Sequence, residues 1–336
     1  GSGPGSGNVE LLKSLPDDML VTVLAKADCR SATRLCEVLK CSEEVWERAY
    51  RDRGWAAEKP VGRTWKEQFA YCCEHMPLTN GTIREAVNVV LALPPPHVHS
   101  FYGPIADWDV SKVTNMRNMF WDAIAFDGDL SRWDVSNVTD MACMFQFARA
   151  FSGDLSRWDV SEVNHMGNMF FHALAFNGDL SRWDVSKVKY MTNMFHDCVN
   201  FDGDLSRWNV GKVEKMDNMF CAAAAFNGDL SRWDVSNVTD MGSVFLEASA
   251  FNGDLSRWDV SNVKSMIRMF KEATAFNGDL SRWDVGNVRD MEDMFSRASA
   301  FNGDLSRWDV REFARRDEMF SDADAYDPVH ALGTRA

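Results

Sequence analysis

A chain of 336 residues, 46% of them hydrophobic, can build a sizeable core in one long domain or two smaller ones without covalent staples. Residues 1–100 hold 12 basic and 13 acidic groups and the remainder 24 and 37, so nearly all of the net charge of -14 falls past residue 100. Such a surface repels phosphate backbones and anionic lipid, which argues against nucleic acid or membrane as partner.

No run of about 18 apolar residues is present to span a bilayer. The eight cysteines show no Cys-x-x-Cys and no paired spacing, which speaks for reduced thiols in the cytoplasm or nucleus. In chain order, residues 1–7 read as an appended Gly/Ser linker, behind which a natural leader would have been lost.

Residues 8–78 read as a small helical domain. Leu15-Pro16-Asp17-Asp18 opens a helix with Pro in its first turn and two acids at its positive end, followed by apolar residues at helical spacing through Leu24. With Leu35-Cys36, Val45-Trp46, Gly54-Trp55 and Trp65 to Phe69, this segment resembles the F-box, a three-helix adaptor motif. The resemblance implies docking onto the Skp-type adaptor of a cullin ubiquitin ligase, with Leu15, Pro16, Leu20 and Leu24 among the contacts. Cys36 lacks the aromatic that usually comes two or three residues later, and the plain alternative is a small domain whose Leu and Trp residues form its core. Within 79–101, Thr82 to Leu91 reads as an amphipathic helix stopped by Pro94-Pro95-Pro96, placed to shield the first coil of a repeat that begins at residue 102.

Residues 102–327 are a tandem repeat. Trp108, Trp133, Trp158, Trp183, Trp208, Trp233, Trp258, Trp283 and Trp308 recur every 25 residues, so nine coils are expected, with 328–336 as a tail. In a representative coil Trp133 and Val135 alternate with Arg132, Asp134 and Ser136, which predicts a short strand. Met141, Met144, Phe145, Ala148 and Phe151 fall at helical spacing, which predicts about two turns of helix capped by Thr139 or Asp140. The glycine of Phe-Asn-Gly-Asp, as in Phe176 to Asp179, would end the helix with a positive φ. The expectation is therefore an α/β solenoid. Its last coil loses a core methionine and gains Arg311, Arg315, Arg316 and Asp317, as a polar capping coil should. Tyr102-Gly103-Pro104-Ile105 and the recurring Phe-Asn-Gly-Asp-Leu-Ser-Arg-Trp-Asp-Val resemble the BspA-like surface-protein repeat family. That resemblance implies a leucine-rich-repeat-like solenoid with an adhesive or recognition role and no catalysis; the lipid-anchor cysteine and signal peptide of bacterial members are not found here.

The repeat also sets chemistry in columns. Arg132, Arg157 and Arg182, continued to Arg307, run beside Asp134, Asp159 and Asp184, continued to Asp309 with Asn209 interposed. These read as a charge ladder neutralised within and between coils, or as a charged recognition strip. The Asp129-to-Asp304 column offers too few oxygens per turn for calcium, which wants six to eight, so turn capping is the expected role. The seven histidines keep no register with Ser, Cys or Glu, Cys72-Cys73-Glu74-His75 lacks a second ligand pair for zinc, and no glycine-rich phosphate loop is present. No metal or cofactor is expected and no catalytic group is assigned.

One column varies while the frame holds: Trp121, Gln146, Phe171, His196, Cys221, Leu246, Lys271 and Ser296. With Phe147, His172 and Asp197 beside it and His165 and Tyr190 before it, the first four coils present aromatics that the later coils lack. Trp121, Phe147, Phe171, His172, Tyr190 and His196 are therefore the candidate partner contacts; neutral drift at solvent-facing positions is the plain alternative. The reading is a non-catalytic scaffold, monomeric outside its complex. The solenoid would hold an unknown protein substrate while the head docks on a ligase, or would act alone in protein binding or adhesion.

Overall fold

The computed structural model describes residues 42–52, 64, 67, 78–92 and 104–330. The chain divides into two compact units, Gly1–Asp109 and Val110–Ala336, so the division falls inside the first repeat. In the first unit helix α1 spans Glu43–Asp52. Ser42 starts it by accepting the Val45 N–H at 3.3 Å, which satisfies an orphan donor of the first turn. Val45, Trp46 and Ala49 of α1 are buried. Thr64 and Glu67 exchange reciprocal bonds of 2.8 and 3.1 Å, a capping box. Helix α2 covers Thr82–Ala92 and buries Ile83, Ala86 and Val87. The helix expected from Leu15, and the adaptor contacts at Leu15, Pro16, Leu20 and Leu24, lie outside the described residues.

In the second unit the 25-residue period holds, but the elements within a coil are not those expected. Trp133–Val135 is not a strand but a short irregular stretch between two turns, and Met141–Phe151 is not a helix but a run of turns. The β pairing among the described residues is a column of single parallel bridges running from Asn115 through Asp140, His165, Tyr190, Lys215, Asp240, Ser265 and Asp290 to Arg315. The expected α/β, leucine-rich-repeat-like coil is thus corrected to a coil of turns.

The reason lies in where the amides go. Met116, Asn118, Phe120 and Asp122 donate their N–H groups to Asp140, Ala142, Met144 and Gln146 of the next coil at 2.8–3.0 Å. The residues between them close tight turns, such as Met119 N–H to Met116 O at 3.1 Å and Ala123 N–H to Phe120 O at 3.1 Å. A helix would spend all of these amides on bonds four residues back and leave none for the neighbouring coil. Alternation is kept by left-handed residues at two places in every coil, for example Asn118 and Asp122 with φ of 58° each and Phe147 with φ of 63°. Such φ values cost on the order of 1 kcal/mol at a non-glycine residue, and the bonds between coils offset that strain. Met141, Met144, Phe145, Ala148 and Phe151 are nevertheless fully buried. A run of short turns returns to the interior with the same spacing as a helix, so the apolar pattern gives the buried face correctly and the element wrongly.

Behind this ladder the core is a set of stacked columns. Phe120 and its equivalents stack at 5.5–5.7 Å from coil to coil. Phe126 and its equivalents stack at 5.9–6.0 Å. The tryptophans from Trp158 to Trp308 stack at 6.3–6.5 Å. Each pair is one coil apart, and all three spacings exceed the ~4.8 Å of main-chain pairing. The bridge column marks one side of the stack, called the inner side, and the arginine column beside the tryptophans marks the side called outer. Seven indoles, Trp158 to Trp308, each donate Nε1–H to a leucine carbonyl of the preceding coil at 2.9–3.0 Å. Each buried aromatic contributes about 1.5–3 kcal/mol, and both its faces are supplied by neighbouring coils.

The repeat glycine also has a different role from the one expected. None of Gly153, Gly178, Gly203, Gly228, Gly253, Gly278 and Gly303 has a left-handed φ. A Cβ at Gly178 would instead lie 3.0 Å from the ring of Phe176, so glycine is there because the ring folds back onto the backbone. In the last coil Phe313 is 70% exposed where the equivalent valines, Val113 to Val288, are buried. Tyr326 replaces phenylalanine, stacks on Phe320 at 3.9 Å and donates its hydroxyl hydrogen to His330 O at 2.9 Å.

Candidate functional site

The ladder brings the variable positions onto one strip. Residues 115–122 of the first coil, and their equivalents, have their amides engaged alternately with the next coil and in turns of their own coil, which leaves the exposed side chains to differ from coil to coil. Over coils two to four the strip is a connected group of rings. Phe147 meets Phe171 edge-on at 5.3 Å and His172 at 5.3 Å. Phe171 lies 4.6 Å from His172 and 4.7 Å from His196. His165 and Tyr190 pair at 5.2 Å nearer the bridge column. Five of the six candidate partner contacts therefore stand on adjoining coils, all half-buried, while Trp121 on the first coil is 53% exposed.

Asp197 organises this group, and sequence reasoning placed it only as a neighbour. Its Oδ2 lies 2.9 Å from His172 Nε2 and 3.2 Å from His196 Nε2. Burial holds His196 below the ordinary histidine range, the Asp197 charge opposing and His172 adding to the effect. A neutral His196 fits the geometry, because its Nδ1 is buried without a hydrogen-bond partner and a proton there would have no acceptor. His165 is likewise pushed down by burial, and its Nδ1 accepts Gly167 N–H at 3.3 Å. Cys221, in the variable column one coil on, has a thiol pushed up to about 12 by burial, so it is no nucleophile. The two histidines and one carboxylate were legible only as scattered letters, since a period of 25 separates His172 from Asp197 in sequence and joins them in space.

Coils seven to nine carry a different strip. Lys271 and Arg268 both reach Asp293 Oδ2, at 2.9 and 3.4 Å. Arg297 pairs with Glu272 at 3.0 Å, and Arg315 pairs with Asp290 at 3.2 Å and with Glu292. The hydrogen bond from Lys271, ahead of its charge, draws Asp293 below the usual carboxylate range.

The outer side carries the arginine column. Arg157, Arg182, Arg207, Arg232, Arg257, Arg282 and Arg307 are exposed and make no ion pair within 4.0 Å among the described residues. The aspartates expected to neutralise them are engaged locally: Asp134 accepts Ser136 N–H and Oγ–H at 3.1 and 2.6 Å, Asp159 accepts Ser161 N–H at 3.0 Å, and Asp184 accepts Ser186 N–H at 3.0 Å. Arg132 has a partner of its own. Arg157, Asp159, Arg182 and Asp184 line an open groove of about 630 Å³ beside Trp158. The Asp129 column makes the same kind of turn, each Oδ1 accepting the serine N–H two residues on at 2.9 Å. Among the described residues no group of three His, Cys, Asp or Glu side chains is arranged to hold a metal ion, and no helix is long and apolar enough to cross a membrane.

A family model described as "Mycoplasma protein of unknown function, DUF285" matches three overlapping stretches of the repeat, 96–182, 154–245 and 225–330. A comparison with curated proteins finds no match.

Proposed function

The chain belongs to this DUF285 repeat family, and from that premise we propose that it is a non-catalytic protein-interaction scaffold whose inner strip is the partner face. One observation carries the reading. The strip holds the columns that differ from coil to coil, and over coils two to four these become a rigid, half-buried aromatic group on an otherwise repetitive frame. Aromatic side chains held in place by their neighbours are the usual anchors of protein interfaces. Partners captured with the full chain, then measured one by one, test this. Trp121→Ala and Phe171→Ala should each weaken binding about tenfold or more, and Arg232→Ala on the outer side should leave it unchanged. Equal binding by all three variants would sink the inner-face reading.

The finer part of the proposal concerns the head. The F-box resemblance supports docking of residues 8–78 on a Skp-type adaptor through Leu15, Pro16, Leu20 and Leu24, in the cytoplasm or nucleus, with the solenoid as substrate receptor. Purified adaptor mixed with the full chain and with its Leu15→Ala/Pro16→Ala form distinguishes this from a stand-alone binding or adhesive protein.

A further inference from the structure

We infer that the ring cluster over coils two to four is a seat for a basic side chain, arginine or lysine, of the partner segment. This deepens the inner-face reading and rests on it. The faces of Phe147 and Phe171 carry the negative end of the aromatic quadrupole, which attracts a cation within about 6 Å. Beside them Asp197 Oδ2 lies 2.9 and 3.2 Å from the Nε2 atoms of the two imidazoles, and no donor reaches Oδ1 among the described residues. Among the described residues no lysine or arginine lies within 4.0 Å of Asp197, whose charged-group neighbours are the two imidazoles. The seat therefore combines the Phe147 and Phe171 rings with one carboxylate that no lysine or arginine of the described residues meets.

The same column farther along shows what is missing here. At coil seven its carboxylate is Glu272, and the next coil answers it with Arg297 at 3.0 Å. On the adjacent column Asp293 is met by both Lys271 and Arg268. Coils seven and eight thus carry their own cations, whereas around Asp197 the chain supplies imidazoles alone and leaves the cation to a partner. No guanidinium or ammonium of the described chain lies over Phe147 or Phe171. The charge past residue 100, 24 basic against 37 acidic groups, would speed the approach of a basic segment at low ionic strength.

The test uses the full chain with acetyl-arginine amide as probe and its neutral citrulline counterpart as control, followed through the histidine ring NMR signals at low salt. The expected result is saturable shifts at His172 and His196, with arginine about threefold to fivefold tighter than citrulline. Asp197→Asn should remove that preference, Phe147→Leu should reduce it, and Asp234→Asn on the outer side should leave it intact. Equal binding of the two probes, or an unchanged preference in both inner-strip variants, overturns the inference. A captured partner that is lost by Phe171→Ala but kept by Asp197→Asn overturns it too while leaving the inner-face reading standing. A partner indifferent to every inner-strip change overturns that reading instead.

Discussion

At the scale of single residues, the recurring Asp-x-Ser turn makes acid sensitivity a property of the whole stack. Asp154, Asp179, Asp204, Asp229 and Asp254 are each held below the ordinary value of 3.8, first by the side-chain hydrogen bond of the serine two residues on, then by its backbone N–H. A carboxylate whose native value is depressed contributes stability that is present above the unfolded value and is lost as pH falls through the native one. The solenoid should therefore keep its urea midpoint down to about pH 4 and lose it progressively below that. Replacing Ser206 and Ser231 by alanine should lower the midpoint at pH 6 while flattening the fall between pH 4 and 2. An unchanged slope in that variant would show that the turns do not govern the acid response. These carboxylates are well solvated, so each contributes little and the effect is read from the column.

At the scale of the element, the bonds that hold neighbouring coils include the main-chain ladder on the inner side, the indole bonds toward the outer side and asparagine side-chain bonds to the main chain of the next coil. Trp233 donates to Leu205 O at 3.0 Å from within a column of parallel rings. Trp233→Phe keeps most of the stacking and removes the donor, leaving a buried carbonyl without its partner. The expected cost is about 1–3 kcal/mol, read from urea denaturation, with the inner-face rings unaffected. A loss below about 0.5 kcal/mol would mean that the indole bond is replaced by water.

The same element shows what pattern reading can and cannot deliver. Met141, Met144, Phe145, Ala148 and Phe151 were legible as interior residues because burial depends on side-chain spacing. The hydrogen bonding was not legible, because turns of three and four residues reproduce the spacing of a helix, and the choice between them is made by amides that bond 24 residues away. The left-handed residues gave no local signal either: Phe147, Glu247 and Arg268 are residue types for which a positive φ is not expected. The glycines were read as conformational hinges, whereas contact with Phe176 and its equivalents is what excludes a side chain there.

At the scale of the molecule, the solenoid is a sum of like coils, each contacting its neighbours, and its stability should follow nearest-neighbour arithmetic. Deleting residues 227–251 joins Phe226 to Asn252 and preserves every column. The shortened chain should fold cooperatively, with the spectrum of the parent scaled to its length and a melting point lower by a few degrees. Deleting one residue fewer shifts the ladder by one place, so turn amides would face the next coil, and that protein should fail to fold cooperatively. Two deletions of equal stability would contradict the ladder as the organising contact.

The candidate site divides along the same line. The sequence alone determined the period, the number of coils, the identity of the buried columns and the list of positions that vary, because each follows from self-similarity and side-chain chemistry. The tertiary structure decided that those coils are turns rather than strand and helix, that a single column of bridges joins them, and that His172 and His196 share the carboxylate of Asp197. Those outcomes depend on which main-chain groups of one coil meet the next, and a linear pattern records the spacing of side chains but not the partner of an amide.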